Sequence, residues 1–267
     1  MNPFKKIVTT TLVYCAILSV KAQTNDSTGY KSIQGDTLPK IINWKQPATK
    51  KHFTLKSLLI PGAMIAYGFT SLGNDGLKNL NQELKEDVWT DRPHQLIHID
   101  NWLLITPALS LYGLNAIGIK GKNNFRDRTM ILLLSNIILN TTVFTVKKIS
   151  HQLRPDGSNY YSFPSGHAAV AFASAEFLYQ EYKDVSPWYG VAGYAMATTT
   201  GYLRIYNNKH WFSDVVTGAG LGIVSSKIAY WLYPKIKKKL FSNKPSGTII
   251  MPGYQNNSFG IILMHQF

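Results

Sequence analysis

Apolar and polar positions fall in long blocks along this chain, and the apolar blocks have the length of helices rather than strands. Six of them stand at about residues 55–72, 102–119, 129–146, 168–179, 188–203 and 215–233. Several are at or below the ~20 residues that a spanning helix needs. The fourth is short and is interrupted by Glu176. Between the first two lies residues 76–89, where Leu77, Leu80, Leu84 and Val88 share one helical face and Lys78, Glu83, Lys85 and Glu86 lie elsewhere. That spacing predicts an amphipathic helix, resting on a membrane or on the bundle. The tail changes period: two β-prone runs, 248–251 and 259–264, flank Gln255-Asn256-Asn257 and read as a hairpin. The terminal Phe267 resembles the end of an outer-membrane barrel, but one hairpin cannot close a barrel. The pattern predicts an all-α bundle of about six core helices, embedded in or associated with a membrane, with a short C-terminal β-hairpin.

The polar stretches divide the chain further. Residues 1–22 read as a secretory signal: Lys5 and Lys6, an apolar run to Val20, then Val20 and Ala22 at the small-residue positions before Gln23. Residues 23–53 form a polar arm without hydrophobic period. The bundle is expected over residues 54–240 and the tail over 241–267.

Charge narrows the partners. The net charge is +14, and the lysines cluster beside apolar runs, which favours anionic lipid headgroups. No RNP, zinc-finger or helix-turn-helix signature accompanies that charge, so nucleic acid is not an expected partner. The loop 120–128 and the segment 235–239 are basic; under the positive-inside rule they face the cytoplasm and the polar motifs described next face the periplasm. A cleaved signal followed by six true spans would invert that topology, so either the start is uncleaved or not all six runs span. The mean hydropathy of -0.08 favours fewer spans. The only cysteine, Cys15, lies in the expected signal, leaving no disulfide to the mature chain.

Three polar motifs break the apolar blocks between Lys147 and Asp214. The first is Lys147-x6-Arg154-Pro155, two cations where a helix must end at or before Arg154. The second is Pro164-Ser165-Gly166-His167, in which Ser165 is a natural N-cap and Gly166 lets the backbone approach a ligand at a helix start suited to an anion. The third is Arg204-x5-His210-x3-Asp214, whose last two members share a face if the stretch is helical, so that the carboxylate holds Nδ1–H and frees Nε2. Three permanent cations match phosphate oxygens, and two histidines supply a nucleophile and an acid.

Together the motifs resemble the type 2 phosphatidic acid phosphatase superfamily, which also includes vanadium haloperoxidases and bacterial acid phosphatases. Its K-x6-RP, PSGH and SR-x5-H-x3-D pattern is complete here except that Leu203 replaces the serine. The resemblance implies that His210 attacks phosphorus, forming a phosphohistidine, that Asp214 orients it, and that His167 protonates the leaving oxygen and then activates water. It implies that Lys147, Arg154, Ser165, Gly166 and Arg204 hold the phosphate oxygens, with no metal and no cofactor. The loss of the serine puts a contact to Arg204 in doubt. The expected activity is hydrolysis of a lipid phosphomonoester or diphosphate: phosphatidic acid, phosphatidylglycerol phosphate, polyprenyl diphosphate or a lipid A phosphate. A vanadate-dependent haloperoxidase, a phosphotransferase, a non-catalytic envelope protein, and a metal site at Asp91, His94, His98 and Asp100 are the alternatives.

Overall fold

The computed structural model describes residues 54–92, 94–240, 248–255 and 258–265; the expected signal, the arm and the turn at Asn256-Asn257 lie outside the described residues. Among the described residues, a 3-10 turn, Leu55–Leu58, leads into eight α-helices: α1 (Leu59–Gly73), α2 (Asp75–Lys85), α3 (Asp100–Leu103), α4 (Thr106–Ala116), α5 (Phe125–Ser150), α6 (Gly166–Tyr182), α7 (Pro187–Tyr206) and α8 (Phe212–Leu240). The first apolar run covers the 3-10 turn and α1, the second is divided between α3 and α4, and the other four lie in α5–α8. The hairpin forms as expected: β1 (Thr248–Gln255) pairs antiparallel with β2 (Ser258–His265), Thr248 facing His265 and Gln255 facing Ser258.

Local chemistry sets the helix ends. Asn74 caps α2 by accepting from the Leu77 N–H at 3.1 Å, and Asn124 caps α5 by accepting from Asp127 N–H at 2.8 Å. Pro187 occupies the first turn of α7, behind the Ser186 cap. α5 stops at Ser150, before Arg154, with His151 in the left-handed conformation (φ 43°).

The centre of the bundle is α6, packed between α7 and α8 and touched by α4 and α5. Its small residues make that possible. A Cβ on Gly222 of α8 would stand 2.2 Å from the Ala169 carbonyl oxygen, and one on Gly218 would stand 2.4 Å from the Ser165 carbonyl oxygen. Between them, Gly220 turns to the other side, where a Cβ would meet the Pro61 carbonyl oxygen of α1 at 2.7 Å. α8 is thus pressed against two helices, backbone to backbone, by glycines alternating along one stretch. Below this contact, Leu111, Ile131, Phe177, Leu178, Tyr182, Ala229 and Tyr233 form the largest apolar cluster.

Glu176 does not interrupt α6. It is buried, accepts from Tyr194 Oη and from Gln180 Nε2, and lies 2.8 Å from Lys227 Nζ. Five residues on, buried Glu181 meets Arg128 (3.4 Å), Asn123 and Tyr230. An acidic residue stays inside a helix bundle when its charge is paired and its lone pairs are filled.

Among the described residues, three stretches are long and apolar enough to cross a membrane: Leu55–Gly73, Phe125–Ser150 and Phe212–Lys239. On α5, Ile131, Ser135, Leu139 and Val143 face the bundle, while Met130, Leu133, Ile137 and Phe144 lie exposed. Apolar side chains on both faces of one helix fit a hydrocarbon surround. The amphipathic segment lies on the bundle: buried Asn81 and Ser213 exchange hydrogen bonds of 2.9 and 3.1 Å, and Lys85 donates to the Pro155 carbonyl at 3.0 Å. Its α-helix ends at Lys85 and continues as a wider turn over Glu86–Thr90.

The basic segments meet at one end of the bundle, where Lys237 lies 2.6 Å from Asp127. α5 carries the chain about 39 Å from there, at 1.5 Å per residue, to the end that bears the motifs. Gly222→Ala should destabilise the fold by about 1–3 kcal/mol, because backbone atoms cannot yield to the added methyl. Gly62→Ala, where a Cβ meets nothing within 4 Å, should be neutral or slightly stabilising. Denaturant unfolding in detergent reads both; the reverse order means that α6 and α8 are not this close.

Candidate active site

Four helix ends converge at the motif end: the C-termini of α5 and α7 and the N-termini of α6 and α8. The N-termini point unpaired N–H groups and positive dipole ends at the space between them. Lys147 comes from the last turn of α5, Arg154 from the loop after it, Gly166 and His167 from the first turn of α6, Arg204 from the last turn of α7, and Asp214 from the first turn of α8. His210 lies in the turn before α8, so it and Asp214 do not share a helix as the spacing implied. The turn brings them together nonetheless, with Nδ1 of His210 3.5 Å from Oδ2 of Asp214. That is the outer limit of a hydrogen bond, and Nδ1 has no nearer acceptor.

Asp214 is fully buried. Its Oδ2 also accepts from the Ser162 hydroxyl at 2.5 Å and from the Trp211 N–H at 2.9 Å. Its backbone carbonyl accepts from the Ser165 N–H at 3.0 Å. Lys147 reaches the same loop, donating to the carbonyls of Tyr161 (2.6 Å) and Ser162 (3.3 Å). Ser165 caps α6 as expected; its buried Oγ accepts from Ala168 N–H at 3.4 Å. Gly166 is open: a Cβ there would meet nothing within 4 Å, so packing does not require the glycine.

Arg204 is held by a residue that the motifs omit. Buried Asp100 of α3 accepts from Nη1 at 2.5 Å. The support that the missing serine puts in doubt therefore comes from 104 residues away, and Leu203 is simply buried. The next residue, Asn101, lies with Oδ1 2.9 Å from Nε2 of His167. Asp100, which the sequence marks only as a possible metal ligand, and Asn101 and Ser162, which it does not mark at all, join the site. The polar pair directly before an apolar run was the available signal for the first two.

The electrostatics bear on chemistry. Burial pushes the His210 imidazole down to about 4; Asp214 pulls it upward, and the Lys147 and Arg204 charges add to the depression. His167 is lowered by burial, then by Arg204, against the opposing pull of Asp100, with Arg154 and Lys147 adding to the depression. The Arg154 guanidinium is lowered by burial and by Arg204. These mutual effects place all six ionisable motif side chains in one field. Nε of Arg154 and Nε of Arg204 are both buried without a hydrogen-bond partner. Unpaired donors on buried cations fit an anion with several oxygens.

The metal alternative fails on its own ligands. Both ring nitrogens of His94 face carbonyl oxygens, of Arg92 (2.5 Å) and Tyr206 (2.7 Å), so neither is open toward a metal. Asp100 is committed to Arg204.

Comparison with known proteins agrees with the motifs. Residues 128–238 match the model of the PAP2 superfamily. Over 155 residues, 58% of this chain and 35% of the relative, the chain is 36% identical to a protein named Lipid A 1-phosphatase from Porphyromonas gingivalis. Over 85 residues, 32% of this chain and 37% of the relative, it is 32% identical to the Lipid A 4'-phosphatase of Bacteroides thetaiotaomicron. The chain thus spans about a third of the length of the curated relatives it matches. The fold resembles the crystal structure of a transmembrane PAP2 type phosphatidylglycerolphosphate phosphatase from Bacillus subtilis, with a TM-score of 0.50 and 21% identity over 67% of this chain and 98% of that one.

Gly166→Ala should leave thermal unfolding unchanged and weaken inorganic phosphate binding about tenfold, the 1.4 kcal/mol scale of one lost hydrogen bond. Calorimetric titration reads the affinity. Unchanged binding means the anion does not lie against the α6 terminus.

Proposed function

We propose that this chain, matched to the PAP2 superfamily over residues 128–238, is a phosphatase acting on a lipid-linked phosphate in a bacterial membrane, without a metal. The observation that carries the reading is the pair of buried, unpartnered Nε atoms on Arg154 and Arg204 beside the His210–Asp214 contact. Three cations against the carboxylates of Asp214 and Asp100 leave the pocket positive before an anion binds.

Each half-reaction follows from those groups. Lys147, Arg154, Arg204 and the N–H groups at the start of α6 hold the phosphate oxygens. His210 is neutral in the ordinary pH range, because its depressed pKa lies below it, and Asp214 favours the tautomer with the proton on Nδ1. Nε2 then forms the bond to phosphorus while the P–O bond to the lipid breaks, and the bonding pair goes to the leaving oxygen. His167 gives that oxygen its proton. In the second half, His167 takes a proton from water, the water oxygen bonds to phosphorus, and the N–P bond breaks to restore His210. Positioning and charge stabilisation carry most of such a transfer.

Lipid A-type phosphates are the substrate class best supported, since two of the curated relatives are a Lipid A 1-phosphatase and a Lipid A 4'-phosphatase. A phosphate-release screen over lipid A, phosphatidic acid, phosphatidylglycerol phosphate and a polyprenyl diphosphate separates the candidates. The site is proposed to face the periplasm, because the basic segments joined by Asp127–Lys237 mark the opposite end.

His210→Ala should fold and lose turnover by at least about a thousandfold, and the wild type should carry acid-labile phosphate during turnover. Full activity in the variant overturns the nucleophile. Imidazole NMR, with His210→Ala for assignment, should show the His210 signal titrating near 4; a midpoint at or above 6.5 contradicts the buried, cation-flanked site. For topology, Ser158→Cys in a Cys15→Ser background should react with an impermeant maleimide when only the outer membrane is opened. Reaction solely after inner-membrane lysis places the pocket on the cytoplasmic side.

A further inference from the structure

The amide of Asn101 has no role in the motifs, yet among the described residues it is the one side chain hydrogen-bonded to the ring of His167, at 2.9 Å from Nε2. An amide oxygen only accepts, so this contact keeps a proton on Nε2 and leaves Nδ1 as the nitrogen that exchanges protons with the reacting oxygens. The platform behind Asn101 is firm. Its neighbour Asp100 is buried and bound to Arg204, and the preceding loop is clasped to the end of α7 by Ile97 N–H on Asn207 Oδ1 (3.0 Å) and Asn207 Nδ2–H on Ile97 O (2.7 Å).

We propose that Asn101 is a positioning residue that commits His167 to act through Nδ1 in both half-reactions. This rests on the phosphatase reading above. In the first half, the negative charge of the bound phosphate favours a second proton on His167 against the depression set by burial and the nearby cations; Nδ1–H gives its proton to the leaving oxygen as the P–O bond breaks and the bond from His210 forms. The neutral ring that remains carries its proton on Nε2, the tautomer that Asn101 holds. Its Nδ1 lone pair therefore faces the water that must lose a proton as the N–P bond breaks. Without Asn101, the neutral ring can place its proton on Nδ1 and present no base to that water. The ring also turns more freely about its side-chain bonds. The ionic groups that bear on His167 are Arg204, Asp100, Arg154 and Lys147; Asn101 adds a contact without adding charge.

The test uses the full chain in detergent and compares two substrates. A lipid phosphomonoester needs its leaving oxygen protonated; p-nitrophenyl phosphate does not. For Asn101→Ala, kcat/KM on the lipid, which reads the first half-reaction, should fall about 10–100-fold, part of the range that general acid catalysis supplies. On p-nitrophenyl phosphate kcat/KM should change less than about threefold, and a burst of nitrophenolate should appear as phosphohistidine accumulates ahead of slowed hydrolysis. Asn101→Asp keeps an acceptor and adds a negative charge, which raises the pKa of His167. The alkaline limb of kcat/KM on the lipid should therefore move upward by about one pH unit or more. Equal losses on both substrates with no burst and an unmoved limb in Asn101→Asp mean a merely structural residue and overturn the proposal, as does wild-type behaviour of both variants. Absence of phosphohistidine from the wild type is a different failure, that of the phosphatase reading itself.

Discussion

One fully buried carboxylate organises the motif end of this molecule. Asp214 receives a hydrogen bond on its side chain from Ser162, lies beside His210, and takes the Ser165 N–H on its backbone carbonyl. Ser162 is in turn bound through its carbonyl by Lys147. Residues from all three motifs are therefore linked through a single position in the first turn of α8. A buried charge is tolerated there because Oδ2 accepts from Ser162 and Trp211 and the dipole of α8 is positive at that end. The carboxylate contacts to Ser162 and His210 and the carbonyl contact to Ser165 come from one residue, so the group that sets the tautomer of His210 also holds the loop between α5 and α6.

The cations show the complementary arrangement. Arg204 has one face satisfied by Asp100 and its Nε left over; Arg154 is half-buried, with its own Nε left over. A fully paired set of cations would bind an anion weakly, since each existing bond must first be broken. A fully unpaired set would be costly to bury. Pairing Arg204 on one side only resolves that conflict and fixes its plane, and a fixed donor needs little reorganisation when charge builds on a phosphate oxygen.

Much of this was legible from the sequence, and the rest was hidden for definite reasons. The six long helices follow from apolar blocks, and the motif side chains follow from fixed spacings, because both are local patterns. Asp100 and Asn101 sit more than sixty residues from their partners, and no periodicity links residues that far apart. Asp100 was legible only as one of four possible metal ligands, since a carboxylate near histidines has the same signature whether it binds a metal or an arginine. Glu176 read as a break because a periodic pattern treats every acid as solvated, whereas Lys227 and Tyr194 fill its lone pairs inside the bundle. The His210–Asp214 spacing was read as helical; the contact is real, but it is made across a turn, where four residues can also close.

The glycines of α8 connect the scaffold to this chemistry. Gly218 lies four residues after Asp214, and its missing side chain is what lets α8 approach the Ser165 carbonyl so closely. Ser165 caps the helix whose first two residues are Gly166 and His167. The distance between α6 and α8 at Gly218 therefore sets the distance between the residues that bind the anion and His167 on one side, and Asp214 with its histidine on the other. Phosphoryl transfer tolerates little error in that separation, because a misplacement of about 1 Å costs on the order of a hundredfold in rate. The small residues of the helix interface thus serve reactivity as well as packing. The long apolar flanks of α1 and α5 can vary in side chain against lipid, while the stretch of α8 around Gly218 cannot vary even by a methyl group without moving the reacting atoms.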